Sequence, residues 1–183
     1  MEESYYFLRA ALTSKMTQYA QVGFISNMTA IKFGREVVLN VKTEKPIQSK
    51  SQLSDYIGGA TDLFHQRIIE VLQNMGTEGV KYFPVRLDGW KENIYDDYIC
   101  VFAENNMYKL LDEELSSYSY RNRMYRIGKY VIDKEKLADI PLGKRLCMHV
   151  EEMLGYCLYH QSVVDAIMAL EPVGMSFYNV EKK

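Results

Sequence analysis

The feature that most constrains this chain is a unit that occurs twice. Residues 63–72 read Leu-Phe-His-Gln-Arg-Ile-Ile-Glu-Val-Leu, and residues 158–167 read Leu-Tyr-His-Gln-Ser-Val-Val-Asp-Ala-Ile. An offset of 95 carries the first run onto the second without a gap, and onward through Gly79/Gly174 to Val85/Val180. Two copies so far apart cannot stack as a short-period array, so one supersecondary element is used twice in a single fold. Ile68, Val71, Leu72 and Met75 recur at three- and four-residue spacing, as do Val163, Ala166, Ile167 and Leu170. That is the buried stripe of an amphipathic helix. Ile69 and Val164 lie off the stripe. With His65 and His160 as helix N-caps, Phe64/Ile69 and Tyr159/Val164 become hydrophobic staples. A neutral imidazole nitrogen can accept the N–H bond that a cap requires. Gly76 and Pro172 end the helices, and Gly79 and Gly174 open short strands.

The rest of the chain reads as strands and loops. Residues 4–8 and 36–41 are predicted strands, with 13–35 showing no sustained period beyond short candidates at 18–22 and 30–33. Residues 42–52 read as a loop, and 98–102 as a buried strand after the Asp88-Gly89 turn. Residues 125–132 are a predicted strand leading into a helical turn at 133–137, and Pro141 and Gly143 mark a loop. Residues 145–150 are read as a strand that forms a hairpin with 156–158. The predicted architecture is one α+β domain in which two equivalent helix–strand units, 63–85 and 158–180, pack on a mixed β-sheet. Residues 1–45 are either part of that domain or a small appendage, and 46–183 form its body.

Composition narrows the function classes. Of 183 residues, 48% are hydrophobic and 25% charged, and the net charge is −2, which favours neither a nucleic-acid binder nor an acidic mimic. No apolar run approaches membrane-spanning length, and the start lacks the basic and apolar regions of a signal peptide. Three cysteines without CxxC spacing suit a reducing compartment. A cytoplasmic protein is the expectation.

Phosphate loops, dinucleotide fingerprints, nucleophile elbows and paired-histidine zinc motifs are missing from the sequence, so no catalytic residue and no cofactor are assigned. Three candidate chemistries remain. Cys147, His149, Cys157 and His160 have the ligand types of a zinc site, and a hairpin would bring the first three to one face. The competing reading is buried apolar thiols and a capping histidine. A small metal-binding or hydrolytic enzyme using His149 and His160 is the corresponding function. The 118–130 stretch interleaves Tyr118, Tyr120, Tyr125 and Tyr130 with Arg121, Arg123 and Arg126, a composition that can grip single-stranded RNA. An ordinary strand with a solvated face has the same composition, and an acidic neighbour stretch argues against nucleic acid.

The third candidate is a charge asymmetry. Residues 88–114 carry eight acids against Lys91 and Lys109, while 115–145 carry eight bases against Asp133, Glu135 and Asp139. Neighbouring stretches of this kind can simply offset each other. Alternatively the acidic stretch is a partner-binding face: Asp96, Asp97, Glu104, Asp112, Glu113 and Glu114, with Trp90 and Tyr98 as aromatic anchors.

One family has the same order of segments. Asp55-Tyr56-Ile57, the first helix, residues 80–85, then Tyr98-Ile99-Cys100-Val101 with Asn105 and Asp112, are followed by Ile132-Asp133, Leu146 and residues 158–177 with Gly174. Over roughly 46–180 this series resembles the immunity protein eleven family of bacterial polymorphic toxin systems, formerly a domain of unknown function. Members of that family often carry a serine where His65 and His160 stand, which fits a capping role. The resemblance implies an α+β protein without a catalytic residue, whose partner is a cognate protein toxin that it neutralises by stoichiometric binding.

Overall fold

The computed structural model describes residues 3–11, 20–22, 38–43, 47–58, 62–88, 94–103, 106–122, 124–153 and 156–181. In chain order the strands are β1 (Tyr5–Ala10), β2 (Ala20–Val22), β3 (Leu39–Thr43), β4 (Tyr56–Ile57), β5 (Leu63–His65), β6 (Lys81–Asp88), β7 (Ile94–Phe102), β8 (Met107–Tyr108), β9 (Ser117–Arg121), β10 (Met124–Lys129), β11 (Cys147–Val150), β12 (Cys157–His160) and β13 (Met175–Asn179). The α-helices are α1 (Gln66–Asn74), α2 (Lys134–Ala138), α3 (Leu142–Arg145) and α4 (Gln161–Met168). This is an α+β arrangement with mixed sheets. The expected single sheet is in fact two, plus a separate two-stranded ribbon: β2-β3-β6-β7-β5-β4, β13-β1-β12-β11-β8, and β10-β9.

Each copy of the repeated unit belongs to its own sheet. In the first, β5 and β6 flank β7 and both run antiparallel to it. In the second, β12 and β13 flank β1, again antiparallel. The registers coincide. His65 faces Tyr98 and His160 faces Tyr5; Leu63 faces Cys100 and Leu158 faces Phe7. β4 beside β5 is matched by β11 beside β12, and the His65 and His160 N–H groups donate to the Asp55 and Leu146 carbonyls that lead into those strands. β1 is therefore the counterpart of β7. The first copy takes its central strand from the segment that follows it; the second takes its own from the beginning of the described chain. Residues 5–10 and 39–43 are thus integral strands of the two sheets.

Strand alternation gives each sheet two apolar faces. Phe64, Tyr159, Leu8, Cys147 and Cys157 point to the helices, where Ile68, Ile69, Leu72, Val163, Val164 and Ile167 complete a central core. The opposite face of the six-stranded sheet buries Leu63, Val85, Leu87, Tyr98 and Cys100 with Leu39, Val41 and Ile47. The opposite face of the five-stranded sheet buries Tyr5, Leu158 and Met148 under Leu110, Leu111, Ile132, Leu137 and Ile140. Burying one such aliphatic side chain contributes roughly 1.5–3 kcal/mol, so three separate cores dominate the stability.

The helix ends follow from local chemistry. His65 Nδ1 accepts the Arg67 N–H at 3.3 Å and His160 Nδ1 accepts the Ser162 N–H at 3.2 Å, making both histidines N-caps. Phe64 and Ile69 are fully buried in one cluster, as the staple geometry requires. Gly76 (φ +73°) closes α1, with its N–H on the Gln73 carbonyl and the Thr77 N–H on the Leu72 carbonyl. Pro141, read as part of a loop, instead caps the short α3.

Polar side chains tie the two halves together. Arg67 makes a two-pronged contact to Asp55, with Nε–Oδ1 at 2.7 Å, and its other nitrogen donates to the Leu170 carbonyl. The Val173 N–H also donates to Asp55. Burial opposes ionisation of Asp55, but the Arg67 bonds and the Val173 N–H outweigh it and hold the carboxyl below its usual range. Asn106 is fully buried and donates to the Lys144 and Cys147 carbonyls, both at 2.6 Å, while the Tyr108 hydroxyl donates to its Oδ1 at 2.8 Å. Gly79 (φ +73°) passes so close that a Cβ would stand 3.1 Å from that amide side chain.

Candidate functional site: a charged groove on the five-stranded half

An open groove lies beside the outer core of the five-stranded sheet. One wall is the 112–115 turn. Asp112 Oδ1 accepts the N–H groups of Glu114 (3.0 Å) and Leu115 (2.9 Å), and its own N–H donates to the Val131 carbonyl. This is the local carboxylate–backbone bonding that favours Asp in turns. The other wall is the start of α2, capped by Asp133, whose Oδ1 accepts the Lys136 N–H at 3.1 Å while Lys136 Nζ lies 2.7 Å from its carboxylate. These two contacts hold Asp133 below the usual carboxylate range. Glu181 closes one end by accepting the Ile132 N–H at 3.0 Å. Between them lies a groove of about 870 Å³ whose apolar lining is the exposed Leu115 with Val131 and the buried Ile132.

Its rim is mixed but acidic: Asp112, Glu113, Glu114, Asp133, Glu135 and Glu181 against Lys129, Lys134 and Lys136. Most of the acids are engaged. Asp112, Asp133 and Glu181 accept backbone bonds, and Glu113 faces Lys109 at 3.5 Å. Glu114 and Glu135 are exposed and join no ion pair among the described residues. The lysines come from the basic stretch of the sequence, so here the acidic and basic stretches meet and partly offset each other.

The remaining predicted contact residues lie elsewhere. Asp96 and Asp97 stand on β7, in the other sheet. The β6–β7 register slips between Val85↔Tyr98 and Leu87↔Tyr95, and this bulge leaves both aspartates exposed in succession, across from Arg86. Tyr98 is 2% exposed; its ring meets His65 edge-on and its hydroxyl donates to the Ser54 carbonyl at 2.6 Å. It is core, not a surface anchor. Trp90 and Glu104 lie outside the described residues, as does Arg123. The proposed acidic face is therefore divided between two sheets, and only Asp112, Glu113 and Glu114 come together. Glu135 and Glu181 join them through folding alone; nothing in the local sequence around Glu181 announces it.

The Cys/His group is partly assembled. Cys147, His149 and Cys157 share one face of the β11–β12 hairpin, with His149 directly across from Cys157. Cys147 and Cys157 are buried with sulfurs 3.2 Å apart. His149 Nδ1 is bonded to the Tyr156 carbonyl (2.9 Å), and His160 is on the opposite face, held at its cap. No group of three or more His, Cys, Asp or Glu side chains among the described residues could hold a metal ion. The contact with Cys147, and burial, push the Cys157 thiol up; burial pushes the lone Cys100 up to about 12. Thiols so shifted are poor nucleophiles. No helix among the described residues is long and apolar enough to cross a membrane.

No known family and no curated protein matches the chain.

Proposed function

We propose that this chain is a cytoplasmic, immunity-type inhibitor that neutralises a protein toxin by stoichiometric binding, with the 112–135 groove as its contact surface. The observation that carries the reading is the groove's construction. Asp112, Asp133 and Glu181 accept backbone bonds that shape it, while Glu114 and Glu135 stand exposed beside Leu115 and Val131. A concave surface that joins apolar contacts to exposed rim carboxylates suits recognition of a basic side chain or segment. The order of segments in 46–180 suggests the same reading, although no known family matches the chain.

The test is co-expression with the protein encoded by the adjacent reading frame, followed by titration calorimetry of the purified pair. Protection of the host cell and a one-to-one complex are expected. Replacing Glu114 and Glu135 by lysine should slow association by about ten-fold or more and reduce its dependence on salt. Absence of a complex, or a complex indifferent to both substitutions, would overturn the reading or its placement, respectively.

A further inference from the structure

The ribbon formed by β9 and β10 pairs with no other described strand. Its register sorts the side chains sharply. Tyr125 faces Tyr120 and Ile127 faces Tyr118 on one side; Met124 faces Arg121, Arg126 faces Ser119 and Lys129 faces Ser117 on the other. The first side turns inward except at the exposed Tyr120. Tyr118, Tyr125 and Ile127 are half-buried against the outer core of the five-stranded sheet, and Tyr125 touches both Tyr118 and Tyr120, at 5.9 and 4.7 Å between ring centres. The second side faces solvent with three cations, no acid and an exposed methionine. None of Arg121, Arg126 and Lys129 forms an ion pair with a described residue. Small serines opposite Arg126 and Lys129 leave those cations unshielded.

We propose that this outward face is a docking surface for an acidic protein segment, whose carboxylates meet the exposed Arg121 and Arg126. Arg121 on β9 and Arg126 on β10 stand on this face, with Lys129 beyond the bulge that follows Ile127, and nothing acidic on the ribbon offsets them. Arginine binds carboxylates with two parallel bonds, and Met124 supplies an adaptable apolar contact between them. Single-stranded nucleic acid fits less well. Stacking needs rings on the same side as the cations, and strand alternation has put the tyrosines on the other. Arg121 and Arg126 lie outside the lining of the acidic groove, whereas Lys129 is shared with its rim; the surface takes the opposite charge and does not depend on the groove's partner being a toxin.

Fluorescence anisotropy with a labelled oligoglutamate peptide, and in parallel an oligouridylate of matching length, tests this on the full chain. The intact protein should bind the peptide more tightly than the RNA. The double variant Arg121→Glu/Arg126→Glu should lose at least about ten-fold in peptide affinity, equivalent to about 1.4 kcal/mol, whereas Lys144→Glu should retain it. The double variant should unfold at the temperature of the parent, because Arg121 and Arg126 are solvent-facing. Absence of peptide binding, equal loss in Lys144→Glu, or tighter binding of the RNA through the same arginines would each overturn the proposal.

Discussion

A histidine serves as an N-cap only while Nδ1 is unprotonated, so the cap at His160 is tied to pH. Its Nδ1 accepts the Ser162 N–H and lies 2.8 Å from the Ser162 hydroxyl, and burial, with Arg145 adding to it against Glu3 and Asp165, lowers its pKa from the usual 6.5. The unfolded chain therefore binds this proton more readily than the folded one. Stability from the cap is complete above about pH 6.5 and is lost as pH falls through the lower folded value. Serine can make the same bond without titrating. His160→Ser should keep the fold, stay within about 1 kcal/mol of the parent at neutral pH, and show a weaker fall in melting temperature between about pH 6.5 and 5. An unchanged pH profile in thermal melts would remove His160 as its source. The residue type was readable as a cap from its spacing to the staple pair. Its edge contact with Tyr5, 5.4 Å between ring centres, was not, since that partner lies far away in the chain.

The two long helices begin alike but end differently. Gly76 has φ +73° after α1, and the residue at the same place after α4 is Glu171, with φ +50°. A side chain in the left-handed region costs about 1–2 kcal/mol, which glycine avoids. Glu171→Gly should therefore raise unfolding free energy by about 1 kcal/mol in denaturant titration, and Gly76→Ala should lower it by a similar amount; a loss of stability in the first variant would contradict the assignment. At this scale the apolar spacing, the caps and the glycine turns marked α1, α4, β6 and β13, and the Cys147–Cys157 hairpin was also readable. Strand β9 was not. Ser117, Ser119 and Tyr120 are exposed, so it has little of the apolar alternation by which a strand announces itself. The sequence suggests for Tyr98 both a place in a buried strand and a role as a surface anchor, and the structure buries it beside Cys100; the bulge instead turns Asp96 outward, and a bulge has no reliable signature in composition.

At the scale of the whole molecule, the duplication was legible because both copies keep one offset, but the exchange that completes them was not. β1 fills in the second sheet the place that β7 fills in the first, and it lies on the far side of the chain from β12 and β13. Only the matching registers disclose the equivalence. A chain lacking residues 1–11 would leave β12 and β13 without the strand between them and remove the buried Tyr5 and Leu8, a loss of at least about 5 kcal/mol once ladder bonds are included. Hydrogen exchange should show amides of 157–179 unprotected while those of 81–88 and 94–102 persist. Retained protection across 157–179 would show that β1 is dispensable.

The borrowed strand also sets an order of events during synthesis. Tyr6 reaches its partner Gln161 across 155 residues, whereas β7 emerges directly after the β6 it pairs with. At about 5–20 residues per second, the Tyr-Tyr-Phe-Leu segment of β1 waits roughly 8–30 s on the ribosome before β12 exists to receive it. Throughout that interval the six-stranded half can close on itself while β1 remains an apolar strand without a sheet. Its place in the fold makes it the segment most in need of a chaperone, and the step that joins it to β12 and β13 the last to be taken.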